Sequence, residues 1–185
     1  FAAGNRVWLK PSERSSRTSG FIASLIQEYF HSSEFCVTTG GPEVAEQFAA
    51  LPFDHLFFTG SGTIGKKVMR AAAENLTPVT LELGGSTPVI IDKSAKPKDA
   101  AASIVYGKLL NGGQTCVAPD YVLLEPGLQE EFVQELQTAA QAQFSNPEEL
   151  TGPIDERQLE YWQHLVSDAI DRGAKVVPLL NNPGA

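Results

Sequence analysis

Short β-rich runs alternate with segments of helical periodicity, and this alternation limits the fold more than any other feature of the chain. It predicts an α/β architecture with an open parallel sheet covered by helices, because parallel strands need a crossover that is usually helical. Strands are expected over residues 6–9, 35–38, 56–59 and 79–83, then over 89–91, 121–124 and 175–177. Between the first two, Phe21, Ile22, Leu25, Ile26 and Tyr29 share one helical face after a serine-rich start that offers N-caps. Pro42 opens a short helix through Ala49, and further helices are expected over 63–74 and 98–110. Two longer helices carry apolar stripes, one through Leu128, Phe132, Leu136 and Ala140, the other through Leu159, Trp162, Val166 and Ile170. Gly84-Gly85 is the natural boundary, dividing the chain into 1–83 and 84–185.

Composition narrows the partners. A formal net charge of −8 over 185 residues argues against nucleic acid, which is held by clustered Lys and Arg. No apolar run approaches the ~20 residues of a membrane-spanning helix. Cys36 and Cys116 stand far apart without CxxC or a neighbouring His, which suggests neither a zinc site nor a disulfide framework and fits a reducing, cytoplasmic setting. No metal is expected. The abrupt start at Phe1 and the single internal methionine, Met69, lead us to expect that both ends are cut from something longer.

Gly60-Ser61-Gly62-Thr63-Ile64-Gly65 follows a strand and opens a helix, so it matches GxGxxG in the context where that pattern has meaning. Glycines let the backbone approach a pyrophosphate, and a helix N-terminus offers N–H groups and partial positive charge. Glu82 lies about where such a fingerprint places the carboxylate that holds a ribose. However, two strand–helix units precede the loop, and that position favours a different role for Glu82. A plain tight turn is the simpler alternative for the loop.

Leu81-Glu82-Leu83-Gly84-Gly85 sets an acid in an apolar strand end, where desolvation would raise its pKa toward the range of a general base. A paired structural glutamate is the competing reading. Asn111-Gly112-Gly113-Gln114-Thr115-Cys116 reads as a helix end, a glycine turn and a small polar approach to a thiol. Alone, a cysteine such as Cys116 is most often a small buried residue. Cys36, in Phe35-Cys36-Val37, reads as core, and His31, His55 and His164 fall in no functional motif.

Taken in order and spacing, Phe58-Thr59-Gly60-Ser61, Leu81-Glu82-Leu83-Gly84-Gly85 and Gly113-Gln114-Thr115-Cys116 resemble the aldehyde dehydrogenase superfamily. Gly4-Asn5-Arg6-Val7-Trp8-Leu9-Lys10-Pro11-Ser12-Glu13 resembles its earlier cofactor segment, and the likeness covers essentially the whole chain. The resemblance implies part of an NAD(P)-binding domain over 1–83 and part of a catalytic cysteine domain over 84–185, both incomplete. It implies Cys116 as nucleophile, Glu82 as base, Lys10 and Glu13 on the adenosine ribose, and Gly60, Ser61, Gly62 and Gly65 in the pyrophosphate loop. Leu83 and Gly84 would lie near the nicotinamide. Gly62 departs from the family, where Thr is common, so no side-chain contact comes from that position.

Leu76-Thr77-Pro78-Val79-Thr80 resembles the class 3 and coniferyl aldehyde dehydrogenase branch, which implies an aromatic aldehyde such as coniferyl aldehyde, or a medium-chain one. NAD and NADP both remain open, since Glu13 should repel a 2′-phosphate but can turn away. A homodimer is implied for the full-length protein. Its oxyanion-hole asparagine and its ribose-holding glutamate have no match in this sequence, so the isolated chain is expected to be inactive. An acyl-reducing enzyme of the same fold, or a non-catalytic nucleotide-binding relative, are the alternatives. A hydrolytic base at Glu82 favours hydrolysis over acyl reduction, and selective alkylation of Cys116 over Cys36 would separate the non-catalytic relative.

Overall fold

A computed structural model describes residues 1–144, 146, 148 and 150–180. The chain forms two compact units, Phe1–Gly84 and Gly85–Ala185, each taken by itself below. Among the described residues, the parallel pairing expected from the sequence takes the form of three two-stranded ladders.

In the first unit, β1 (Val7–Leu9) leads through α1 (Ser16–Tyr29) to β2 (Phe35–Val37), its parallel partner. Pro42 supplies the pre-set φ that starts α2 (Pro42–Ala49). Then β3 (Leu56–Gly60) crosses through α3 (Gly62–Ala73) to β4 (Val79–Leu83), pairing in parallel from Leu56↔Val79 to Gly60↔Leu83. Ala49, Leu56 and Val68 are buried, with Phe53, Phe58, Ala71 and Val79 packed around them. Trp8 meets Phe48 and Phe53 edge-on, at centroid distances of 5.5 and 5.9 Å, an arrangement the ring quadrupole favours.

A reversal after α3 aims β4. Leu76 takes a left-handed φ of 54°, and the Thr77 N–H donates to the Ala72 carbonyl at 3.0 Å, the six-to-one bond of a Schellman cap. The Thr77 hydroxyl then donates to the Phe53 carbonyl at 3.0 Å, pinning the cap beside the start of β3. Pro78 ends any continuation of the helix.

In the second unit, β5 (Thr87–Ile90) runs parallel to β6 (Pro119–Leu123), with a register shift at Thr87/Pro88. Between them lies α4 (Pro97–Leu109), and α5 (Gln129–Gln143) packs against it. Ala101 and Ala140 are fully buried, and such small side chains let helices approach closely. Ile91, Ala101 and Phe132 centre this core. Asp155 caps α6 (Glu156–Asp171) by accepting from the Gln158 N–H at 2.9 Å. The strand expected over 175–177 is not formed. Its β-branched residues match a strand, but a strand exists only with a ladder partner, and none is present among the described residues. Among the described residues no helix is long and apolar enough to cross a membrane.

Candidate active site

In the first unit, the residues singled out by sequence lie at or just beyond the carboxyl ends of β1, β3 and β4. In α/β folds, ligands bind outside the carboxyl ends of strands. β1 stops at Leu9, and Pro11 and Ser12 turn the chain, the Ser12 hydroxyl accepting from the Arg14 N–H at 3.2 Å. Lys10 Nζ donates to Glu13 Oε2 and to the Pro11 carbonyl, both at 3.0 Å. The lysine side chain is 9% exposed and the glutamate 45%, so the pair offers mainly its carboxylate to solvent. Hydrogen bonding from its own backbone N–H, then from Lys10, holds the Glu13 carboxyl below its ordinary value against a smaller opposing effect of burial.

The β3–β4 register sets Thr59 beside Glu82 and Gly60 beside Leu83. Ser61 caps α3, its hydroxyl accepting from the Ile64 N–H at 3.3 Å. Helix geometry leaves the Gly62 and Thr63 N–H groups without intrahelical acceptors. No atom lies within 4 Å of where a Cβ at Gly62 would stand. Gly65 differs: a Cβ there would meet Leu83 Cδ2 at 2.9 Å, so α3 lies close on β4 because this residue has no side chain. Gly84 follows Leu83 in open surroundings.

Glu82 corrects an expectation. It is exposed, not buried among the leucines around it. Alternation along paired strands explains this. Leu56, Phe58, Val79 and Leu81 share the face under α3, whereas Phe57, Thr59, Thr80 and Glu82 share the other, which is open at Phe57, Thr59 and Glu82 and half-covered at Thr80. Sequence shows apolar neighbours along a strand but not what covers each face.

In the second unit, the chain reverses after α4 through three successive left-handed residues, Asn111, Gly112 and Gly113, at φ 52°, 61° and 74°. Cys116 follows in an exposed turn closed by the Ala118 N–H donating to the Thr115 carbonyl at 3.1 Å. Ala118 is buried and anchors the far side of that turn. Cys36 is half-buried on β2, and burial pushes its thiol up. The two thiols are therefore presented differently: Cys116 on a turn open to reagents, Cys36 inside a strand.

The profile of the "Aldehyde dehydrogenase family" matches residues 1–182. The chain belongs to the aldehyde dehydrogenase family. A "Probable coniferyl aldehyde dehydrogenase" of Pseudomonas aeruginosa is 49% identical over 181 residues, covering 96% of this chain and 38% of that protein. The "Aldehyde dehydrogenase, dimeric NADP-preferring" of Rattus norvegicus is 47% identical over 135 residues, covering 73% of this chain and 30% of that one. Among solved structures, an indole-3-acetaldehyde dehydrogenase complexed with NAD+ superposes with a TM-score of 0.85 at 29% identity, covering 95% of this chain and 37% of its own. The chain thus spans less than two fifths of the length of these relatives.

On this aldehyde dehydrogenase chain, the structure brings Lys10 to Glu13, sets Gly60 beside Leu83 and Thr59 beside Glu82, and lays Gly65 close on Leu83. Cys116 stands in the other unit. Sequence reasoning passed over Gln114, whose side chain bonds main chain some 40 positions away. The available clue was an amide framed by glycines and a thiol in Gly113-Gln114-Thr115-Cys116.

Proposed function

We propose that the full-length protein oxidises an aldehyde to its carboxylic acid, with Cys116 as nucleophile, Glu82 as base and NAD or NADP as hydride acceptor. The observation that carries this reading is the exposed Cys116 turn set on a left-handed reversal, in a chain of this family. The Cys116 thiolate adds to the aldehyde carbon, and the backbone N–H of Cys116 is one donor for the oxyanion that forms. A bound nicotinamide would supply the acceptor for the hydride that leaves this adduct. A thioester then remains on Cys116. Glu82 takes a proton from water as the water oxygen attacks the thioester carbonyl, and departure of the thiolate releases the carboxylic acid.

The residues present fit a dinucleotide. The unobstructed backbone at Gly62 and the first-turn N–H groups of α3 suit the pyrophosphate. Glu13 would accept from the adenosine ribose hydroxyls while Lys10 steadies its carboxylate. Leu83 and Gly84 are assigned to the nicotinamide end. In this reading Phe1–Gly84 belongs to the nucleotide-binding domain and Gly85–Ala185 to the cysteine domain. Coniferyl aldehyde or a related aromatic aldehyde is the proposed substrate, supported by the name of the Pseudomonas aeruginosa relative. A cytoplasmic homodimer is proposed for the full-length enzyme, in keeping with the dimeric rat relative.

The test is Cys116→Ser in the full-length protein, assayed with cinnamyl aldehydes and both cofactors. Oxidation should vanish while dinucleotide affinity is retained, because the thiol forms the adduct but does not hold the adenosine. Normal turnover in that variant would remove Cys116 from the mechanism.

A further inference from the structure

We infer that Gln114 is a positioning residue whose carboxamide fixes the Cys116 turn. This rests on the reading of Cys116 as nucleophile. Gln114 Nε2 donates to the Asn111 carbonyl and to the Gly152 carbonyl, both at 3.0 Å, and Oε1 accepts from the Ile154 N–H at 2.9 Å. The same residue is held through its backbone: its N–H donates to the Asn111 carbonyl at 3.2 Å, and Asn111 Nδ2 donates to its carbonyl at 3.4 Å. Both amide protons and one oxygen lone pair of the side chain are thus used on main chain.

The partner strip lies hard against the turn. A Cβ on Gly112 would run into the Thr151 carbonyl oxygen, so only glycine permits this approach at a left-handed φ. Thr151 to Ile154 therefore touches the reversal at Gly112 and clasps Gln114 from the side. Ala118 buries the far end of the turn, so the thiol-bearing residue is suspended between two fixed points.

The chemistry of the clasp is selective. It asks for two donors and an acceptor at the reach of a glutamine. Asparagine is one methylene short. An ionised glutamate keeps the acceptor but turns oxygen toward two carbonyls. Gln114 acts through the main chain, and its contribution is the geometry of the thiol. A reacting group misplaced by about 1 Å loses on the order of 10²-fold in rate.

The experiment compares Gln114→Glu, Gln114→Asn and Cys116→Ser in the full-length protein. Four quantities are read: kcat, the rate of Cys116 alkylation by iodoacetamide, dinucleotide affinity and melting temperature. We expect Gln114→Glu to lower kcat by about 10²-fold and to change the alkylation rate, with dinucleotide affinity and melting temperature kept. Activity should partly return as pH falls and the introduced carboxyl regains a proton to donate, a recovery absent from the wild type. Wild-type kcat and labelling in both Gln114 variants, beside an inactive Cys116→Ser, overturn this inference alone. An active Cys116→Ser overturns the proposed function and this inference with it. Equal losses of kcat, dinucleotide affinity and melting temperature mark a general folding defect and also overturn it. Should the Gln114 variants fail to fold, hydrogen exchange in the wild type decides: a protected Ile154 amide supports the clasp, and exchange at open-loop rates overturns it.

Discussion

Glu82 stands at the exposed end of a strand, next to Leu83 and across from Thr59. If its role is to activate water after hydride transfer, Glu82→Gln in the full-length protein should still give a single burst of reduced cofactor. Steady turnover should then slow, because the thioester waits for hydrolysis. Rapid-mixing absorbance of the reduced cofactor separates the two phases, and unchanged steady turnover would point to a structural glutamate. Glu13 yields a pH prediction of known sign. Its folded carboxyl lies below its ordinary value, so it stays ionised through the ordinary carboxylate range and takes up a proton only as pH falls through the lowered folded value. Dinucleotide affinity should therefore hold steady down to the ordinary carboxylate range and weaken below it. Titration of the Glu13→Gln variant should show a smaller acid limb, and an identical limb would clear Glu13 of the binding role. The motifs that hold Glu13, Glu82 and Cys116 are legible in the sequence because they are local. The exposure of Glu82 and the clasp of Gln114 were not, since one depends on which face α3 covers and the other on a partner at Gly152 to Ile154.

Among elements, the α3–β4 contact separates two glycines that look alike on paper. Gly65→Val should push α3 off Leu83, and overpacking of this kind costs about 1–3 kcal/mol. Gly62→Ala meets nothing and has no positive φ to lose, so it should raise stability by about 0.4–1 kcal/mol by restricting the unfolded chain. Chemical denaturation of the two variants checks both signs, and a destabilised Gly62→Ala would refute the open space. Element order was readable because period-two and helical runs alternate with proline and glycine stops, as at Pro42, Pro78 and Gly84. Residues 175–177 have a strand-like composition but no neighbouring strand among the described residues, and pattern alone does not supply one.

For the whole molecule, large apolar side chains face solvent: Leu76 is 89% exposed, Ile90 and Val117 75% and Phe57 65%. Extensive exposed apolar surface marks faces that other protein surface covers. The 185-residue chain on its own should bind the dye ANS more strongly than the full-length protein, mole for mole, and show no aldehyde oxidation. Comparable dye binding together with a comparable rate would mean that nothing beyond this chain is needed.

The aromatic packing around Trp8 has a practical use. Trp8 donates from Nε1 to the Thr38 hydroxyl at 2.8 Å, while Trp162 lies half-buried in α6. The only two tryptophans of the chain thus fall one in each compact unit. Indole emission shifts with the polarity around the ring, so Trp162→Phe leaves a fluorophore that watches Phe1–Gly84 alone, and Trp8→Phe leaves one that watches Gly85–Ala185. Superimposable urea transitions from the two variants mean that the units melt as one cooperative body, and separated midpoints mean that each unit has a stability of its own.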